Sequence, residues 1–260
     1  MKYCRCFLVL AAFRFVSAHA DEEEKSEPGF NEATFKGLEM RSVGPAFMSG
    51  RIADIVIDPS DPSTWYVGVG SGGVWKTENA STTWTPVFDD EGSYSIGCIT
   101  REPNDPTPVC GGTGEKVSGR HVAYGDGIYR SRDGGKSWEN MGLEESEHIG
   151  MIRIDPRDSN TIFVAVQGPL WSGGGDRGLY KSTDGGENWR KVLGDGHGNT
   201  KEDDQYTGVN EIHMDPRNPD VMYAVTWQRL RNVAVVMDGG PGTGIHKSVD
   251  GGETWRELTS

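Results

Sequence analysis

Ser182-Thr183-Asp184-Gly185-Gly186-Glu187-Asn188-Trp189 decides how this chain is read. The same words return at Ser131-Arg132-Asp133-Gly134-Gly135-Lys136-Ser137-Trp138 and at Ser248-Val249-Asp250-Gly251-Gly252-Glu253-Thr254-Trp255. A worn copy stands at Thr77-Glu78-Asn79-Ala80-Ser81-Thr82-Thr83-Trp84. Asp-Gly between two β-like runs is a strong hairpin signal, because the turn needs positive φ and glycine supplies it without a steric penalty. The Asp carboxylate is expected to accept backbone N–H groups two and three residues on, and the Trp opens the next strand with a large apolar body. Short strand-like runs precede the strong copies: Gly127-Ile128-Tyr129-Arg130, Gly178-Leu179-Tyr180-Lys181 and Gly244-Ile245-His246-Lys247. Asn79, Asp133, Asp184 and Asp250, with Gly135, Gly186, Gly252 and Trp84, Trp138, Trp189, Trp255, are therefore structural candidates.

A second motif precedes each turn: Ile55-Val56-Ile57-Asp58-Pro59, Ile152-Arg153-Ile154-Asp155-Pro156 and Ile212-His213-Met214-Asp215-Pro216, with a looser copy over residues 99–106. A β-rich run follows each. The unit is strand, Asp-Pro turn, strand, loop, strand, Asp-Gly-Gly turn, strand, and the Asp-turn positions are separated by 54, 51 and 66 residues. Four antiparallel strands per unit of this length describe a β-propeller blade. Blades are expected at about 51–88, 96–140, 149–193 and 210–258, within an all-β chain that forms part of a larger propeller.

Repeats of this pattern resemble the Asp box, or bacterial neuraminidase repeat. Gly50-Arg51-Ile52, Ile57-Asp58-Pro59, Tyr66-Val67-Gly68, Gly72-Gly73-Val74-Trp75 and Trp84 look like the opening blade of secreted Asp-box propellers, among them the sortilin-type receptor propeller and the xyloglucan-degrading hydrolases. The resemblance covers residues 40–260. It implies either a binding role for peptides, proteins or glycans, or glycoside hydrolysis. In the xyloglucanases a catalytic Asp ends the second strand of the opening blade; alignment on Gly72-Gly73 puts Gly70 there, which argues against that mechanism. The sialidase F/Y-R-I-P signature is absent from the sequence.

Composition sets the remaining bounds. The chain has 260 residues, 37 glycines and a net charge of −13, with a mean hydropathy of −0.57. Residues 1–20 read as a secretory signal: Lys2 and Arg5, an apolar run, then Ala18-His19-Ala20. Removing Lys2, Arg5 and Arg14 from 26 basic residues leaves 23 against 39 acidic, a net of −16. A surface that acidic disfavours nucleic acid. Residues 21–39 read as an acidic leader, no other stretch is apolar enough to span a membrane, and the expected location is secreted or periplasmic. Cys98 and Cys110 flank a turn on strands that should pair, so they are a disulfide candidate, with two buried free thiols as the alternative.

In an up-and-down blade the Asp-Pro and Asp-Gly-Gly turns share one face, and the long irregular loops share the other. Variable loops on a rigid scaffold are the usual seat of binding. The loop face carries Trp171, Trp227 and Tyr206; Glu115, Asp126, Asp176 and Glu211; Arg51, Arg120, Arg177, Arg229 and Arg231; and His121, His148 and His197. Arg51, Arg120, His121, Trp171, Tyr206 and Trp227 are the ligand-binding candidates. Glu115, Asp176 and Glu211 are the catalytic candidates, since two carboxylates about 5–10 Å apart hydrolyse glycosidic bonds. No Cys/His cluster has metal spacing and no EF-hand pattern is present, so no cofactor is expected beyond weak Ca²⁺ binding by acidic loops. The leading expectation is a binding module for an extracellular polysaccharide or protein. A sialidase- or xyloglucanase-like glycoside hydrolase is the alternative, and an assembly role is the third.

Overall fold

The structure is a computed structural model that describes Gly37 and residues 50–117, 119, 121–194 and 204–258. The chain divides into Met1–Arg41 and Ser42–Ser260, and every described residue except Gly37 lies in the second unit. The expected signal at 1–20 and all of the 21–39 leader but Gly37 lie outside the described residues, as do Arg120 and His197.

Four antiparallel sheets follow one another in chain order. The first holds β1 (Ile52–Ile57), β2 (Trp65–Val69), β3 (Gly73–Thr77) and β4 (Thr85–Pro86). The second holds β5 (Ile96–Arg101), β6 (Val109–Thr113), β7 (Ile128–Ser131) and β8 (Glu139–Asn140). The third holds β9 (Ile149–Asp155), β10 (Asp158–Val166), β11 (Gly178–Ser182) and β12 (Arg190–Leu193). The fourth holds β13 (Thr207–Asp215), β14 (Asn218–Arg231), β16 (Gly244–Ser248) and β17 (Arg256–Glu257), and β15 (Val236–Asp238) pairs with the far end of β14. Each sheet runs up and down with neighbours in sequence order, which makes this a partial β-propeller. The 227–244 insertion departs from the expected irregular loop, because β14 continues through Arg231 and folds back as a hairpin with β15.

Apolar layers between consecutive sheets hold the stack together. Tyr66, Val74, Phe88, Ile96, Val109 and Tyr129 fill the space between the first two sheets, where the Phe88 ring meets Tyr129 and Trp138 edge-on at 5.0 Å each. Ile128, Ile149, Ile152, Ile162 and Val164 fill the next layer, and Phe163, Leu179, Val209, Ile212 and Met222 the last. Each such side chain contributes roughly 1.5–3 kcal/mol on burial.

The repeated octapeptide builds one turn three times. In the third sheet Asp184 Oδ1 accepts the Asn188 N–H at 3.0 Å and the Ser182 hydroxyl at 2.7 Å, while Ser182 Oγ accepts the Gly186 N–H at 2.9 Å. The Asn188 side-chain amide comes first in holding the Asp184 carboxyl down at about 2. Asp133 is likewise held at about 2, chiefly by the Ser137 hydroxyl. At Asp250 burial works in the opposite direction, and hydrogen bonds from Thr254 outweigh it to give about 2. In the worn copy Asn79 Oδ1 accepts the Thr83 N–H at 2.8 Å, and Ala80 and Ser81 hold φ of 50° and 72° without glycine. Two of the Trp indoles tie their turn to the preceding sheet's linker: Trp138 Nε1 donates to the Val87 carbonyl at 2.6 Å and Trp189 Nε1 to that of Met141 at 2.7 Å, while Trp255 Nε1 donates to Gly252 of its own turn at 3.2 Å.

The candidate disulfide is not formed. Cys98 and Cys110 are buried free thiols. A register shift between Ile96 and Cys98 puts Cys98 opposite Gly112, while Cys110 faces Thr100. The two cysteines are therefore diagonal neighbours, whose typical separation of about 7 Å exceeds the ~4 Å between Cβ atoms that a disulfide needs. Burial pushes the Cys98 thiol up to about 12 and the Cys110 thiol up to about 11.

Candidate functional site

The face opposite the turns is built from the segments after the second and fourth strands of each sheet. Near the start of β1, the Arg51 guanidinium ion-pairs with Glu115 and donates toward His121 Nε2 at 3.0 Å. Glu115 is 2 % exposed, and its Oε2 has no hydrogen-bond partner among the described residues. Gly70 makes room for it: a Cβ at position 70 would lie 2.5 Å from Glu115 Oε1. The carboxylate absent from position 70 is thus replaced in space by one reaching over from the second sheet. Three of the sequence candidates meet here, Arg51 with Glu115 and His121, which follow it by 64 and 70 residues.

Beside this cluster lies a cleft of about 470 Å³ lined by Gly92, Ser93, Tyr94, His121, Val122, Ala123, Tyr124, Gly125 and Asp126. Tyr94 and Tyr124 are 63 % and 59 % exposed. The Ser93 hydroxyl donates to the Tyr124 carbonyl at 2.8 Å, and the Ser95 hydroxyl to the carbonyls of Gly70 and Ala123 at 2.8 and 3.1 Å. These bonds pin the linker between the first two sheets to the 114–127 loop. Asp126 Oδ2 accepts the Tyr129 hydroxyl at 2.8 Å. Partial burial, then the charges of Asp90 and Asp126, push the Glu91 carboxyl up. Glu91, Tyr94 and Tyr124 were not among the sequence candidates. The signal for Glu91 and Tyr94 was the polar, aromatic run Asp89-Asp90-Glu91-Gly92-Ser93-Tyr94 after a fourth strand.

The remaining candidates take other posts. Arg177 is 3 % exposed and its guanidinium is caged by the carbonyls of Gly174, Gln167, Pro169, Ser172 and Tyr206; it is a strut, brought down to about 10 by burial. Trp227 lies in a strand and carries the buried Arg229 guanidinium over its ring at 5.0 Å. Arg229 is also brought down to about 10, by burial and then by the charge of Arg177. Asp176 accepts the Glu145 N–H at 3.0 Å and closes the 3₁₀ turn Glu144–Ser146 against the 167–177 loop. Glu211 sits on β13 against His213 at 3.2 Å. The catalytic candidates Glu115, Asp176 and Glu211 therefore occupy three separate surroundings. Tyr206 is half-buried, and Trp171 is 38 % exposed on the 167–177 loop. His148 is fully buried, with Tyr124 edge-on at 6.3 Å, and burial brings it down to about 3. No group of three or more His, Cys, Asp or Glu poised for a metal ion occurs among the described residues, and no described helix is long and apolar enough to cross a membrane.

A family model described as Sortilin-Vps10 (sortilin, neurotensin receptor 3) matches residues 126–260. An oligoxyloglucan-reducing end-specific xyloglucanase of Emericella nidulans is 25 % identical over 220 residues, which are 80 % of this chain and 24 % of that protein. A xyloglucanase of Acetivibrio thermocellus is 27 % identical over 245 residues, 83 % of this chain and 26 % of that one. The chain thus spans about a quarter of the length of these relatives. Among solved structures, an ancestral GH74 enzyme superposes with a TM-score of 0.59 at 19 % identity, over 83 % of this chain and 26 % of that one. The GH74 xyloglucanase from Xanthomonas campestris gives 0.57 at 20 % identity, over 82 % and 30 %. These likenesses show the propeller fold.

Proposed function

The chain belongs to the Sortilin-Vps10 family, and from that premise we propose that its loop face binds an extracellular glycan, in a secreted protein whose larger propeller includes these four sheets. In this reading its Asp-Gly-Gly turns are Asp boxes, and their aspartates are structural. The observation that carries the reading is the cleft between the first two sheets, with Tyr94 and Tyr124 exposed beside Asp126. Tyrosine rings offer apolar faces to the C–H side of a sugar, and a carboxylate and hydroxyls beside them accept and donate to its hydroxyls. The named relatives act on xyloglucan by their descriptions, which favours a neutral β-glucan as the first ligand to try.

Hydrolysis is the second reading, favoured by one observation. Glu91, its carboxyl raised, stands near Asp126, and two carboxyls with different environments are what acid/base cleavage of a glycosidic bond uses. Glu115 supports it less, because Arg51 already holds its carboxylate.

A glycan-array screen of the whole chain, with reducing-sugar release assayed on each glycan bound, tests both. Tyr94→Ala and Tyr124→Ala are each expected to weaken binding about tenfold. A folded protein that binds no glycan sinks the proposal. Release that Glu91→Gln abolishes while binding persists would install the hydrolase reading.

A further inference from the structure

We propose that Arg229 on β14 is the seat of a buried halide ion, enclosed where the 167–177 loop meets β14. The inference is independent of what the loop face binds.

Arg229 is a cation with nothing to hold it. It is wholly buried, and none of its three guanidinium nitrogens has a hydrogen-bond partner among the described residues. The Trp227 ring stands 5.0 Å from the guanidinium, but a ring attracts the charge without accepting the five N–H donors, which lie in the guanidinium plane. The group stays charged at neutral pH, since burial and then the charge of Arg177 bring it down only to about 10. A buried charge with neither partner nor hydrogen bond is among the costliest things a fold can carry.

The acceptors nearby are turned elsewhere. The carbonyls of Gln167, Pro169, Ser172, Gly174 and Tyr206 all receive the Arg177 guanidinium. That of Leu170 receives the Arg231 N–H at 2.8 Å. Arg177 is itself a cation and adds repulsion. His148, held neutral by burial, brings no negative charge. The half-buried Glu147 feels both arginines, yet burial outweighs them and pushes its carboxyl up, which is not the behaviour of a carboxylate in a formed ion pair.

A second observation points the same way. Arg231 follows Arg229 by two residues and so shares its face of β14, and its buried Nε also lacks a partner among the described residues. The face therefore holds donors in excess and is short of an acceptor. Because Arg229 is sealed from solvent, the acceptor must be small enough to be enclosed with it. A halide takes N–H donors from any direction and has no oxygen left to satisfy, whereas a carboxylate or sulfate brings two to four oxygens that each need a donor.

Melting of the whole chain in sodium chloride, bromide and gluconate at matched ionic strength tests the assignment. Gluconate screens surface charge equally and is too wide to be enclosed. Above the dissociation constant, each tenfold rise in chloride or bromide should raise the melting temperature by about 3–5 °C over gluconate. Crystals soaked in bromide should show anomalous scattering beside the Arg229 guanidinium. Arg229→Met should erase the difference between the salts and melt no lower than the unaltered chain in gluconate, because an apolar side chain then replaces an unpaired buried charge. Equal melting in all three salts, a salt difference that Arg229→Met keeps, an Arg229→Met chain that melts lower or fails to fold in gluconate, or bromide found only at the surface would each overturn the proposal.

Discussion

On the turn face the same few side chains recur and each Asp-Gly-Gly turn bonds within itself; on the loop face no two segments are alike and more of the buried polar atoms lack a partner among the described residues. Ser131, Ser182 and Ser248 each bond the Asp two residues on and the glycine N–H four residues on. Across the sheets, Glu115 Oε2, Gln167 Oε1 and all three Arg229 nitrogens are buried without a hydrogen-bond partner among the described residues. A buried polar group left so costs about 1–3 kcal/mol, and such groups persist where a surface is shaped for something besides stability. One face closes the blades on one another, and the other holds buried polar atoms without a hydrogen-bond partner among the described residues.

The sharpest way to break this contrast is a methyl group on the turn face. Gly252→Ala would set a Cβ 2.6 Å from Phe163 at a φ of +80°, and is expected to cost about 2–4 kcal/mol in urea unfolding. A loss below about 1 kcal/mol would mean the turn adjusts freely, and the rigidity assigned to that face would be wrong.

The two faces should also fail at different pH. The folded His148 titrates at about 3 against an ordinary 6.5, so the unfolded chain takes up its proton first. Stability present above about pH 6.5 is lost as pH falls toward 3. The turn aspartates titrate at about 2 against 3.8, so their contribution is present above pH 3.8 and is lost only as pH falls toward 2. Acid unfolding followed by tryptophan fluorescence should begin in the upper window. His148→Met should delay its onset by roughly one pH unit. An unchanged onset would take the loop face out of the acid response.

The smaller effects sharpen the comparison inside each face. Ser81→Gly should stabilise by about 0.5–1 kcal/mol in the same urea assay, because an L-residue with a φ of 72° carries a penalty that glycine lacks. Glu91→Gln should give a small gain at pH 7 that vanishes below pH 4. Its raised carboxyl favours the folded state while protonated, and that advantage is lost as pH rises. A gain equal at both pH values would assign the effect to packing.

The turn face was legible in the sequence because its chemistry is local. Ser, Asp and Gly-Gly within five residues contain nearly all the atoms that make the turn, and periodicity did the rest. The loop face was legible only in part. Arg51, Glu115 and His121 carried the right chemistry, but their meeting depends on Gly70 leaving a space that no local pattern announces. Arg177 and Arg229 were placed on the loop face and are interior, because Arg177 is caged by carbonyls of its own 167–177 loop and of Tyr206, and Arg229 lies over the Trp227 ring. The cysteines misled for a related reason: the register pairs Cys98 with Gly112 and Cys110 with Thr100, which makes them diagonal neighbours.

The donor that grips each turn (Tyr66, Arg130 or Lys181) belongs to the earlier sheet, and the glycine it grips arrives 55–70 residues later. A ribosome releases the chain in that order. The first and third sheets therefore leave the exit tunnel with an aromatic ring uncovered, and the next repeat to be translated is what buries it. Assembly acquires a direction from this, and a pause between repeats would leave Tyr66 or Phe163 open to whatever apolar surface is nearby.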